Sequence, residues 1–346
     1  SFIYKSIKID IKVIKFSLII GFISFILICL SNINRPDAGL YHYPFISLLN
    51  DNKIIIGVTN LHTRFGLTSI IQYISALNYN SVFGLNGIVI PLATLASLIF
   101  LYFFSEIINF YKSRKDTDLY TFFIFFTFIF FSYKMNRYSG YGNDAPGHFL
   151  LFFLISILLK NNENFKNQTF IKVLTISIFI FINKITLFVA LIFPFIIIKF
   201  KDIKAYFRME YLLPLSVLVL WFVKNILNTG CIIYPIENLC FEFRWSNFDY
   251  TNNISYLSTG AEAWSKSWPE LSDKQQNVIG FYEFNSNFNW VSTWLSSHFL
   301  FIIKTISPYF LFITSLALTI MYLSTKKKEN KIFDRKIFII FLLIFI

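Results

Sequence analysis

Apolar runs long enough to cross a bilayer recur along the chain, separated by polar stretches. Spanning about 30 Å of hydrocarbon takes roughly 20 apolar residues at about 1.5 Å each. By that measure spans are predicted at 13–31, 82–104, 119–133, 147–160, 210–228 and 297–322. The run 170–198 is too long for one ordinary helix and is interrupted by Asn183 and Lys184, so it reads as a hairpin of two spans. A ninth span begins near 337. The predicted fold is an all-α polytopic membrane protein of about nine transmembrane helices, one transmembrane domain over 1–346 without repeats or linkers. The chain begins without Met and stops inside "KIFIIFLLIFI", which reads as a fragment with a truncated C-terminus. Its first 31 residues, basic then apolar, have no small-residue cleavage site and read as an uncleaved first span.

Composition agrees with this reading. Hydrophobic residues make up 55% of the chain and charged residues 14%, against about a quarter charged in average chains. The net charge of +12 is a matter of placement. Of 31 Lys and Arg, 20 fall in the segments 1–15, 105–118, 160–172, 199–209 and 323–336. Only eight fall in 32–81, 134–146 and 229–296. The positive-inside rule then puts the N-terminus in the cytoplasm and the second set outside. The basic charge is a topology signal, and no nucleic-acid partner is implied.

All four histidines fall on the external side or at its edge, and long loops on a rigid scaffold are where sites tend to sit. Loop 32–81 opens with "NRPDAGLYHYPF", where Asp37 follows the first span closely enough to lie at the membrane surface. A carboxylate there can take a proton or position a hydroxyl. His42 and His62 are candidates to polarise a phosphate or hold a metal. Arg35 and Arg64 offer forked donors for phosphate oxygens. Residues 67–78 predict a short interfacial helix. Equally open is a structural reading, with Asp37 a helix cap and its aromatic neighbours an interfacial belt. Loop 134–146 repeats the pattern with Asp144 and His148 in "NDAPGHF", where Asp144 is also a good N-cap before Pro146. Lys184 at the hairpin apex either meets a lipid-linked phosphate or snorkels to the interface.

Loop 229–296 begins "NTGCIIYPIENLCFEFRW". Cys231 and Cys240, nine apart on the oxidising side, can close a disulfide around "IIYPIENL". Beyond it the aromatic, polar stretch 245–295 suits either a sugar-facing cap or a membrane belt. No Ser–His–Asp pattern, phosphate-cradling glycine loop, zinc spacing or ATP-binding signature occurs.

An acid in a long first external loop, a second acid in the next loop and many spans resemble the GT-C membrane glycosyltransferases. More narrowly, "DAGLYHYPF", "GVTNLHTRFG", "NDAPGHF" and "TGCIIYPIENLCFEFRW" look like a family of bacterial polytopic membrane proteins of that layout, over roughly residues 10 to 305. The resemblance implies transfer of a sugar from a polyprenyl-phosphate donor to a glycan or lipid acceptor on the extracytoplasmic face of the bacterial cytoplasmic (inner) membrane. It implies Asp37 as the essential first-loop acid and Asp144 as the second-loop acid. The residue reading places His42, His62, Arg64, His148 and Lys184 around the substrate. The paired first-loop acids common in such enzymes are missing, since Ala38 and Gly39 follow Asp37. Single-base catalysis is therefore favoured over the metal-dependent version, and no cofactor is firmly implied, though a divalent metal keeps a place. Alternatives are an O-antigen-type polymerase or ligase, for which the external arginines are few, and a lipid-linked sugar transporter or flippase, for which the spans are poor in polar residues.

Overall fold

The structure, a computed structural model, describes residues 11–31, 37–52, 55–113, 119–161, 167–197, 209–246, 250–268, 280–304 and 307. Thirteen α-helices are found there: α1 (Ile11–Ser31), α2 (Tyr43–Asp51), α3 (Ile70–Asn78), α4 (Ile90–Ser113), α5 (Leu119–Tyr133), α6 (Met135–Tyr138), α7 (Asp144–Lys160), α8 (Asn167–Asn183), α9 (Phe193–Ile197), α10 (Leu212–Thr229), α11 (Tyr250–Ser265), α12 (Phe281–Asn285) and α13 (Trp290–Trp294). Among the described residues there are no strands, only an isolated bridge between Cys231 and Cys240. The fold is all-α, as the apolar runs predict.

Three helical stretches are long and apolar enough to cross a membrane: Ile14–Ser31, Gly84–Tyr111 and Met209–Thr229. Their outer faces need lipid, not water, because Leu18, Phe22 and Leu30 on α1 and Leu213, Val219 and Leu220 on α10 all stand exposed. The other predicted spans are shorter as helices. Leu119–Tyr133, Gln168–Asn183 and Ile185–Ile197 fall below the spanning length, and α7 has 17 residues, the low end of the spanning range. An apolar run measures composition; the helix within it stops where the backbone stops. At Lys184 the backbone is extended (φ −143°, ψ 105°), which ends α8 before the 3₁₀ segment Ile185–Ile192 folds back upon it. The predicted span 297–322 lies largely, and the ninth span wholly, outside the described residues.

The chain divides into two compact units. The first holds the described residues up to Ile55 and those from Thr68 to Trp221. Its centre is α4, which packs against α1, α3, α5 and α7. Leu92, Ala93, Ala96, Phe100 and Phe103 form one buried stripe at helical spacing. Small residues bring α1 close to α4: the Ser97 hydroxyl donates to the Gly21 carbonyl at 2.8 Å. In lipid this close packing replaces the hydrophobic effect as the force that joins helices. Aromatic rings fill the rest, with Phe131 and Phe149 at 4.6 Å between centroids.

The second unit holds Ile56–Leu67 and the described residues from Phe222 onward. Cys231 and Cys240 are joined by a disulfide, S–S 2.06 Å. Two backbone bonds flank it, Ile232 N to Leu239 O at 2.8 Å and Phe241 N to Gly230 O at 2.9 Å. Gly57, in the left-handed region at φ +65°, donates to Leu227 O at 3.0 Å. A Cβ at Gly57 would lie 2.7 Å from the Trp245 carbonyl oxygen, so the turn requires glycine.

Candidate functional site

The first unit gathers both acid-bearing loops around one histidine. Directly after Asp37 the chain makes a π-helical turn, Ala38–His42, that runs into α2. Pro44 explains the widening, since it has no N–H to donate and its ring would clash with the Leu40 carbonyl in an α-turn. Such wide turns are rare and recur at functional sites. The turn buries His42 while leaving Asp37 exposed.

The hydrogen bonds around His42 fix its protonation. Gln72, in the first turn of α3, accepts a bond from the Ser69 backbone N–H through Oε1 at 2.8 Å. A backbone N–H can only donate, so the amide is oriented with Nε2 toward His42 Nδ1, 2.8 Å away. Nδ1 therefore accepts, and the proton of the neutral ring sits on Nε2. Burial pulls the His42 pKa down to about 4, against the negative charges of Asp37 and Asp144, which raise it. Tyr141 packs edge-on against the ring at 5.8 Å between centroids, and a side chain at Gly142 would begin 3.8 Å from Nε2. The 134–146 loop thus passes directly over the histidine of the 32–81 loop.

Around this contact the polar groups are tied together. The Tyr141 hydroxyl donates to Ser75 Oγ at 2.9 Å, and that hydroxyl donates to Ile88 O at 2.8 Å. Burial raises the Tyr141 hydroxyl well above its ordinary range and pushes Tyr43 up to about 12, so both stay protonated. Ser69 Oγ donates to Asn183 Oδ1 at 2.8 Å, and Asn183 Nδ2 donates to Asn143 O at 2.8 Å. Lys184, next in the chain, forms an ion pair with Asp144. The break in the 170–198 run therefore places an amide to hold the second loop and an ammonium to meet its acid.

The capping roles open to the two acids are not adopted. Asp37 has helical φ/ψ (−61°, −32°) and makes no capping bond, because a cap needs the extended backbone that lets its oxygen turn back on the helix. Asp144 is the first residue of α7, one position past its N-cap, Asn143. His148, one turn on, meets the Tyr138 hydroxyl through Nδ1 at 3.2 Å. The predicted interfacial helix is α3, with Ile71, Gln72, Ser75 and Ala76 buried and Leu77 exposed.

His62 and Arg64 belong to the second unit. His62 caps the 3₁₀ turn Thr63–Gly66, its Nδ1 accepting from the Arg64 N–H at 3.1 Å. Arg64 lines a cavity of about 300 Å³ in that unit. Arg35 lies outside the described residues. Among the described residues no three His, Cys, Asp or Glu side chains come together as a metal cage.

Ser69, Gln72, Ser75, Tyr141 and Asn183 were not legible as site residues in the sequence. For Ser69, Gln72, Ser75 and Asn183 the one signal is a polar side chain within an otherwise apolar stretch, as in "TSIIQYISAL" and "FIFINKITL"; Tyr141, in a polar loop, has none. Comparison with curated proteins finds no match, and comparison with solved structures finds none. The sequence matches one family along residues 2–346, and the chain belongs to it: Domain of unknown function (DUF8201).

Proposed function

We propose that the chain is a membrane glycosyltransferase of the GT-C type, in the bacterial inner membrane with its N-terminus in the cytoplasm. It moves a sugar from a polyprenyl-phosphate donor to a glycan or lipid acceptor on the extracytoplasmic face. The observation that supports this reading most is that Asp37 and Asp144, from separate loops, both act on buried His42 while Lys184 pairs with Asp144. A carboxylate to take a proton and an ammonium to meet a phosphate suit transfer from a phosphate-linked sugar. Asp37 takes the proton from the acceptor hydroxyl, whose oxygen attacks the anomeric carbon from the face opposite the phosphate. The carbon–oxygen bond to phosphate breaks, its electrons stay with the leaving polyprenyl phosphate, and Lys184 offsets that charge. Asp144 holds Lys184 in place.

The test compares surface glycans by mass spectrometry in wild-type cells, a deletion, and the deletion carrying Asp37→Asn at matched expression. A sugar lost on deletion and not restored by the variant is expected. Full restoration would remove Asp37 as the base and favour a transporter of lipid-linked sugars.

A further inference from the structure

The second unit contains a cavity of about 300 Å³ with a chemistry of its own. Its volume is near the lower bound of small-molecule pockets, room for one sugar residue. One wall is a single face of α11, where Tyr256, Gly260 and Trp264 follow at four-residue intervals and so line up. Phe281 packs on Gly260 so closely that a Cβ there would lie 3.1 Å from its ring, and Tyr256 meets Phe281 at 5.2 Å between centroids. Opposite, the disulfide hairpin presents Tyr234. A Cβ at Gly66 would lie 2.5 Å from the Tyr234 ring, so that glycine lets the ring seat against the turn carrying Arg64. Trp264 and Tyr256 are half or more exposed, at 50% and 64%.

We infer that this cavity binds one anionic sugar residue, its C–H faces on Trp264 and Tyr256 and its carboxylate or phosphate on the Arg64 guanidinium. Aromatic faces suit the C–H surface of a pyranose and show no preference for charge. A guanidinium fork supplies the preference, since it matches both anions with two parallel bonds. His62, holding the Arg64 N–H, is then a positioning residue. The choice of a sugar as ligand rests on the glycosyltransferase reading; the binding measurement does not depend on transfer.

Full-length protein in nanodiscs, free of glycoside detergents, is mixed with methyl glucuronide, glucose 6-phosphate or methyl glucoside. Saturation-transfer NMR reads which sugar protons lie against protein rings. Both anionic sugars are expected to bind saturably and more tightly than the neutral one, and the tighter of the two identifies the anion. Arg64→Gln should weaken them about ten-fold, to the level of methyl glucoside, and Trp264→Ala should weaken all three. Asp37→Asn, inactive in transfer, should bind as wild type, which separates this site from the chemistry of the first unit. The proposal is overturned by absence of saturation on every sugar, by equal binding with Arg64→Gln and wild type, or by displacement of methyl glucoside by inorganic phosphate. Tyr256→Ala serves in place of Trp264→Ala should that variant misfold.

Discussion

The neutral state of His42 has a measurable consequence for stability. An unfolded histidine titrates near 6.5, whereas burial holds His42 at about 4 in the folded protein. Between those values the unfolded chain binds a proton that the folded chain refuses, so stability falls as pH drops through 6.5, and the loss is complete below about 4. From pH 7.5 to pH 5 the difference amounts to about 2 kcal/mol for this one group. The groups facing the ring do not blur the reading: Asp37 and Asp144 already act on the His42 value, and Tyr43 and Tyr141 remain protonated throughout. The perturbation is His42→Gln, whose Oε1 can accept the same bond from Gln72 and which does not titrate. Thermal unfolding followed by tryptophan fluorescence, for both proteins in the same nanodiscs across pH 7.5 to 5, isolates the difference. Wild type should lose about 2 kcal/mol more than the variant, a few degrees in melting temperature. Parallel curves for the two proteins would refute the buried neutral histidine, and with it the tautomer deduced from Gln72.

Asp144→Asn should change melting by less than about 1 kcal/mol, because its pair with Lys184 is partly exposed, at 25% and 56%. The same variant should nevertheless lose most glycan product by mass spectrometry. Gly87→Ala places a Cβ 1.9 Å from the Asn78 carbonyl oxygen, so backbone must shift at a cost of about 1–3 kcal/mol. Gly39→Ala, with nothing within 4 Å, should melt like wild type or slightly higher. Replacing Cys231 and Cys240 together with Ser removes a cross-link nine residues apart, worth about 2.6 kcal/mol by loop entropy. Reducing agent should reproduce that loss in wild type and leave the double variant unchanged.

Much of this protein was legible in its sequence, and the boundary has a physical cause. Apolar run length reports how much chain can lie in hydrocarbon, because lipid demands helices with all backbone groups satisfied. That determined the all-α fold, the location of helices at Ile14–Ser31 and Met209–Thr229, and a break at Asn183 and Lys184. Sequence neighbours also sufficed to mark Asp37, His42 and Asp144 as candidates, since charged and imidazole groups beside apolar runs are costly without a role. Run length did not determine where each helix ends, because a helix stops where the backbone turns extended, as at Lys184, and hydropathy does not report φ and ψ. Only tertiary packing decided that Gln72, thirty residues from His42, sets its tautomer. The same holds for Asn183, which holds the carbonyl of Asn143 forty residues away. Packing also set Arg64 among the aromatic rings of α11. Hydrogen bonds and burial depend on distances in space, and a linear pattern records only the distance along the chain.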